Sequence, residues 1–136
     1  MPKMYFNNDI KNFRISSQKQ KINLLNRFDV DFIIIKRFNK NFSKTKSLTF
    51  IKEILAKKLK PKFIFVSNNF RFGNKREGNL QQLIKFESAC NYQIVKPRPL
   101  FLNKKMASSS LIRNYLEKGK LEQANNLLNR KWSIEG

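Results

Sequence analysis

Two hydrophobic periodicities alternate along the chain and predict helices interspersed with buried strands. Short uninterrupted apolar runs at residues 32–35 and 63–66 have the length and the aromatic and β-branched content of buried strands. Between them, apolar residues recur at spacings of three and four, which predicts an amphipathic helix that faces a core and is stopped by Pro61. The residues of this apolar stripe are Leu48, Ile51, Ile54, Leu55 and Leu59.

Serine, threonine and asparagine mark the expected starts of the helices, because their side chains cap free backbone N–H groups. A helix begins at Ser16 or Ser17, the central one at Thr45 or Ser47, and further helices follow Asn79 and residues 108–110. A third strand is expected at residues 92–95, an irregular connection at residues 100–107, and two short helices separated by Gly119. This alternation predicts an α/β fold with a parallel sheet flanked by helices.

Composition narrows the class of protein. The 136 residues suffice for one domain, and 40% hydrophobic content with 13 phenylalanines is typical of a globular chain. No apolar run approaches the roughly 18 residues of a membrane span, so we expect no membrane partner. A single cysteine excludes an intrachain disulfide and indicates a cytoplasmic protein. The sequence has no histidine, the commonest metal ligand and general base.

The net charge of +20 would attract polyanions such as RNA or DNA. However, the basic residues are spread over the whole length, without the clustered tract of a nucleic-acid-binding arm. The chain is also rich in Lys, Asn, Ile and Phe, all of which have A/T-rich codons. We therefore favour compositional drift over nucleic-acid binding, although the same field would favour small anions such as nucleotides.

The first candidate site follows the strand at residues 63–66. Asn69 can donate and accept hydrogen bonds at the strand end, Arg71 can pair with phosphate, and Gly73 allows close backbone approach to a ligand. Polar loops at the carboxyl ends of strands are where open α/β sheets bind ligands. The alternative is that Phe70 and Phe72 fold back onto the core and the loop is only a solvated connection.

The second candidate site is the start of the helix after residue 107. Ser108, Ser109 and Ser110 would present hydroxyl and free backbone N–H groups, an arrangement suited to binding an anion. Arg113 lies one turn later, from where its guanidinium can reach back to a phosphate. A serine-rich helix start also occurs simply because serine caps well. Neither candidate site holds a nucleophile–base pair, so the pattern indicates phosphate binding and not covalent catalysis.

These two motifs resemble those of the FMN adenylyltransferase module of bacterial FAD synthetase, the bifunctional riboflavin kinase/FMN adenylyltransferase. The family has Gly-x-Asp/Asn-Phe-x-Phe-Gly after a strand, which corresponds here to residues 67–73. It has Ser-Ser-Thr-x-Ile-Arg at a helix start, here residues 108–113, and Leu-Gly-Arg-Pro-Tyr/Trp-x-Ile-x-Gly further on, here residues 128–136. The correspondence is correctly spaced over about the last three quarters of the chain.

The resemblance implies a Rossmann-like nucleotidyltransferase fold and the reaction of FMN with ATP to give FAD and pyrophosphate, with Mg²⁺ accompanying ATP. It implies that Asn69 and its neighbours, Phe70, Arg71 and Gly73, line the FMN/ATP cleft. It also implies that the serines at 108–110 and Arg113 hold the ATP phosphates. Three residues depart from the family pattern: Ser67 and Asn129 each replace a glycine, and Lys131 replaces a proline. Ser110 replaces a threonine but keeps the hydroxyl.

The same resemblance leads us to expect an incomplete domain at residues 1–136. The family begins with a strand and a Gly-x-Phe-Asp-x-x-His-x-Gly-His loop that binds ATP, and it continues into a riboflavin kinase barrel. We expect this chain to lack the first strand or strands, to need the missing parts of a longer chain, and to be inactive and unstable alone. The alternatives are a basic RNA-binding module and a non-catalytic remnant.

Overall fold

The protein has a mixed α/β architecture in which a parallel strand pair is flanked by helices. The computed structural model describes residues 5–7 and 14–134. Among these residues the helices are α1 (Gln18–Leu25, then a 3-10 turn, Asn26–Phe28), α2 (Lys40–Ser43), α3 (Ser47–Thr49, continuing as a π-helix, Phe50–Leu59), α4 (Leu80–Lys85), α5 (Glu87–Cys90), α6 (Ser109–Glu117) and α7 (Leu121–Leu128). The strands are β1 (Phe63–Phe65), β2 (Arg71–Phe72), β3 (Gly78–Asn79), β4 (Gln93–Val95), β5 (Phe101–Leu102) and β6 (Lys105–Met106).

The chain forms two compact units, of which the first comprises residues 1–6 and 37–98. In this unit β1 and β4 pair in parallel, with Ile64 opposite Ile94. A parallel pair requires a crossover connection, which here contains α4 and α5. The predicted parallel arrangement of these two strands is therefore confirmed. The segment between β1 and α4 forms a short antiparallel pair, in which β2 lies against β3.

The core of the first unit is a cluster of buried side chains from α3, β2, α4 and the residue before β4. Its members are Ile51, Leu55, Phe72, Leu83 and Tyr92. The predicted helix is confirmed, but its buried stripe is narrower than expected, since Leu48 and Leu59 are 41% and 44% exposed. Both lie in the terminal turns of α3, beyond the middle of the helix, where the core side chains pack.

Tyr92 gives this core a measurable dependence on pH. Its ring is 3% exposed, and its hydroxyl donates a hydrogen bond of 2.7 Å to the Leu83 carbonyl. Burial, together with the nearby Cys90 and Glu87, raises the Tyr92 pKa from 10.0 to about 12. The fold therefore favours the neutral phenol, and the resulting stabilisation is complete below pH 10 and is lost as the pH rises towards 12.

We expect the Tyr92→Phe variant to lose less stability than the wild type between pH 10 and pH 12. The shift of about two pH units corresponds to a difference of about 2–3 kcal/mol over this interval. Urea unfolding of both proteins at pH 8, 10 and 12 measures this difference. The two proteins share every other titrating group, so the comparison isolates Tyr92. If the two proteins lost stability in parallel between pH 10 and pH 12, the fold would not hold the Tyr92 phenol neutral, and the prediction would be wrong.

The second unit comprises residues 7–36 and 99–136. Ser17 caps α1 as predicted, in a capping box with Gln20. Two residues near the C-terminus are hydrogen-bonded to the residues that precede α1. Trp132 Nε1 donates to the Ile15 carbonyl (2.8 Å), and Arg130 Nη2 donates to Ser16 Oγ (2.8 Å). Asn129, where the family has glycine, ends α7 with a φ of 50°. Asparagine tolerates this left-handed conformation, so the departure keeps the helix end intact.

Two sequence predictions in the second unit are wrong. Residues 32–35 form no strand, and Phe32, Ile34 and Ile35 are 86%, 71% and 56% exposed. A buried strand requires backbone partners on a neighbouring strand, which an apolar run does not supply by itself. Conversely, residues 100–107, expected to be irregular, contain the β5–β6 hairpin. Its turn places Asn103 and Lys104 at φ of 48° and 62°, as a type I′ hairpin turn requires.

Among the described residues, no helix is both long enough and apolar enough to cross a lipid bilayer.

Candidate functional site

Asn69 lies in the turn that follows β1, at the carboxyl end of the strand, as predicted. The Ser67 hydroxyl donates a hydrogen bond of 2.8 Å to Asn69 Oδ1, and both side chains are exposed. Since the Asn69 oxygen already accepts this bond, the amide NH₂ group is the part of the side chain that faces an incoming acceptor. The turn therefore presents a hydrogen-bond donor at the strand end.

Phe70 and Phe72 fold back onto the core, which was the alternative interpretation of this segment. Their rings stack with centroids 5.6 Å apart, and Phe72, 8% exposed, also contacts Phe50 at 5.4 Å. Arg71 lies between them on β2 and is exposed, because successive residues of a strand point to opposite faces. The two aromatic rings thus anchor the segment, while the Arg71 guanidinium remains available to an anion.

Gly73 makes a close approach to protein backbone. It has a φ of +74°, and a Cβ built there would lie 2.7 Å from the Ser47 nitrogen and 2.8 Å from Ser47 Cα. The close approach that we predicted between Gly73 and a ligand is, in this structure, an approach to the start of α3. Gly73 thereby determines where the Asn69–Arg71 segment sits on the first unit.

The second candidate site lies at the N-terminus of α6, as predicted. Ser108 is the capping residue, and its Oγ accepts a hydrogen bond of 3.2 Å from the Leu111 backbone N–H. Ser109 and Ser110 are exposed and occupy the first two helical positions, whose N–H groups have no partner within a helix. Arg113 is half-buried one turn later. Capping by Ser108 therefore leaves the next two residues to meet an anion.

The structure brings together the members of each candidate site but assigns the two sites to different compact units, residues 37–98 and 99–136. Among the residues described, no group of three His, Cys, Asp or Glu side chains could hold a metal ion. Sequence reasoning overlooked Glu77, which lies in the basic loop after Gly73 but bonds to the backbone of Ser47. Its partner is 30 residues away, so no local pattern could have revealed the contact.

Comparisons with known proteins agree with the resemblance found in the sequence. The sequence model of a family described as FAD synthetase matches residues 1–111. The bifunctional riboflavin kinase/FMN adenylyltransferase of Buchnera aphidicola subsp. Schizaphis graminum is 36% identical over 136 residues, covering 99% of this chain and 44% of that protein. The protein of the same description from Haemophilus influenzae is 30% identical, with coverage of 99% and 44%. This chain thus spans less than half the length of these relatives.

Comparison of structures supports the fold. A solved structure described as a macrolide-efflux protein from Streptococcus pneumoniae superposes with a TM-score of 0.73 at 19% identity, covering 87% of this chain and 44% of that one. At this identity the likeness concerns the fold alone, and it agrees with the predicted mixed α/β class. The family match extends over most of the chain and includes the Asn69–Gly73 segment. The chain belongs to the FAD synthetase family.

Proposed function

We propose that residues 1–136 form part of an FMN adenylyltransferase domain, which transfers AMP from ATP to FMN and releases pyrophosphate. The observation that carries this proposal is the free start of α6. Ser108 caps the helix, so the N–H groups and hydroxyls of Ser109 and Ser110 are left to bind phosphate. The relatives' description as FMN adenylyltransferases supplies the chemical identity of the phosphate-bearing substrates.

The start of α6 is suited to the polyphosphate of ATP. Backbone N–H groups and the positive end of the helix dipole stabilise negative charge there. Arg113 would add a guanidinium that can bind phosphate oxygens in a bidentate manner. We propose that Mg²⁺ accompanies the ATP phosphates, as it does in most phosphoryl-transfer enzymes.

The segment after β1 would contribute to the cleft for FMN and ATP. Asn69 offers an amide donor at the strand end, and the exposed Arg71 offers a cation. Phe70 and Gly73 would act mainly by positioning these two residues, because Phe70 stacks on the buried Phe72 and Gly73 lies against α3. Whether this segment binds FMN or ATP would then depend on the Asn69 amide and the Arg71 guanidinium.

The reaction itself requires little acid–base chemistry from the protein. The phosphate of FMN is largely ionised at neutral pH, since the second pKa of a phosphate monoester is about 6. One of its oxygens can attack the α-phosphorus of ATP directly, forming the new P–O bond as the bond to pyrophosphate breaks. Catalysis would then rest on positioned N–H groups and cations that stabilise the developing charge.

The proposal predicts that Arg113→Ala weakens binding of Mg·ATP by about tenfold, the loss expected for a charge-assisted hydrogen bond of about 1.4 kcal/mol. Lys118→Ala is the matched control, because Lys118 ends the same helix and its loss changes the net charge equally. Calorimetric titration at 0.15 M salt measures both affinities, and thermal unfolding checks that each variant is folded. Arg113→Lys, which keeps the charge, should show an intermediate affinity.

Equal weakening by the two alanine variants would contradict the proposal and indicate general electrostatic attraction. RNA binding that falls with salt, but is unaffected by ATP or FMN, would instead support the RNA-binding alternative. The resemblance also implies an ATP-binding loop with histidines, and this sequence contains none. We therefore expect the purified chain, incubated with FMN and Mg·ATP, to form no FAD detectable by chromatography.

A further inference from the structure

Glu77 links the loop after the first candidate site to the start of α3. The Ser47 backbone N–H donates a hydrogen bond of 2.7 Å to Glu77 Oε1. Ser47 is the first residue of α3, where the backbone N–H has no partner within the helix and the helix dipole is positive. A carboxylate is the side chain that best satisfies such an N–H, because the bond is assisted by charge. Glu77 therefore acts as a capping group supplied from 30 residues away.

Three further contacts hold the same loop against Ser47. Gly73 and Gly78, at the two ends of the loop, both lie so close to Ser47 that an added Cβ would come within 2.9 Å of it. The Asn74 backbone N–H also donates to the Thr45 carbonyl at 2.8 Å. Ser47 itself is 5% exposed, although it is polar. The loop thus packs closely on Ser47 at both ends and is joined to the start of α3 by one backbone hydrogen bond and one carboxylate.

This attachment bears directly on the candidate site, because the loop continues from β2. Arg71 and Phe72 form β2, and Gly73 follows without an intervening residue. Phe72 packs against Phe50 of α3, so its ring and the Glu77 carboxylate both attach this turn to α3. Loss of the carboxylate would leave the ring contact in place but remove the hydrogen bond to Ser47. The backbone that carries Arg71 would then have one attachment to α3 fewer.

We propose that Glu77 is a positioning residue, which holds the Asn69–Gly73 segment in its ligand-binding arrangement by capping α3. This inference rests on the proposed function, since it assumes that the segment binds FMN or ATP. Glu77 contacts no proposed substrate group and takes no proton in the reaction. Its effect passes through Ser47 and the loop backbone alone.

The experiment compares Glu77→Ala, Glu77→Gln and the matched control Glu53→Ala in the full chain. Glu53 is an exposed carboxylate on α3 that pairs with Lys57, so its removal changes the charge equally without touching the loop. Hydrogen exchange measures protection of the amides of residues 73–78, and FMN fluorescence titration measures ligand affinity. For Glu77→Ala we expect about tenfold faster exchange at the Asn74 amide and about fivefold weaker FMN binding, the usual effect of losing a helix cap.

Glu77→Gln retains an acceptor oxygen and should recover most of the protection and affinity, whereas Glu53→Ala should match the wild type. Exchange at Leu83 and Tyr92 reports the core and should be unchanged in every variant. Loss of core protection in Glu77→Ala, or loop protection equal to that of wild type, would overturn the proposal. If the wild type binds no FMN, the proposed function fails, while the exchange measurement still tests the attachment of the loop.

Discussion

Replacement of Gly73 by alanine is expected to destabilise the first unit by about 3 kcal/mol. Two effects add: a side chain at a φ of 74° and a ψ of 179°, a region essentially restricted to glycine, costs roughly 1–3 kcal/mol, and overpacking costs about 1–3 kcal/mol. The overpacking arises because the new Cβ would lie 2.7 Å from the Ser47 backbone nitrogen. Backbone at the start of a helix cannot move aside as the end of a flexible side chain can. Urea unfolding followed by circular dichroism measures the change.

Gly119→Ala is the matched control for this experiment. Gly119 has a similar φ of +67°, but a Cβ built there would meet no atom within 4 Å. Its substitution should therefore show the conformational cost alone, about 1 kcal/mol, measured through the fluorescence of Trp132 in the same compact unit. Equal losses for the two variants would mean that the loop can move away from α3. Such a result would also weaken the role proposed for Glu77.

The second large effect is expected from Ile51→Ala, with a loss of about 3–4 kcal/mol in the free energy of unfolding. Ile51 is fully buried and is the central contribution of α3 to the core cluster. Removing its three carbon atoms forfeits their transfer free energy and leaves a cavity between packed neighbours. Chemical unfolding at pH 7, monitored by circular dichroism, provides the measurement.

Leu48→Ala is the control within the same helix. Leu48 is 41% exposed and lies in the first turn of α3, so its truncation should cost less than about 1 kcal/mol. Both substitutions introduce alanine, the residue of highest helix propensity, so the difference between them reports mainly packing. If Leu48→Ala proved as harmful as Ile51→Ala, the apolar face of Leu48 would have to be covered in solution by something other than the contacts described.

These two experiments concern the frame that carries the first candidate site. Gly73 places the loop on α3, and Ile51 joins α3 to the buried Phe72 through the core cluster. Arg71 precedes Phe72 directly, so a change in either contact should reach the group that we propose to meet a phosphate. The second candidate site depends on the capping of α6 by Ser108, which lies in the other compact unit.

The sequence by itself determined three helix starts and the family. Ser17, Asn79 and Ser108 each accept a hydrogen bond from a backbone N–H three residues later, so their effect needs no other part of the chain. The apolar run at residues 63–66 was likewise sufficient to predict β1. Each of the two motifs that carry the resemblance is a continuous stretch of sequence, so each could be recognised without the structure.

Only the tertiary structure decided which apolar runs pair and what the glycines approach. Residues 32–35 and 63–66 look equally like buried strands, yet within the described part of the chain only the second pairs with another strand, because pairing depends on backbone groups distant in the sequence. The glycine at position 73 looked suited to a ligand, but it faces Ser47, 26 residues earlier in the chain. Local hydrogen bonds depend on residues that lie close together in the sequence, whereas contacts between distant segments depend on how the whole chain packs.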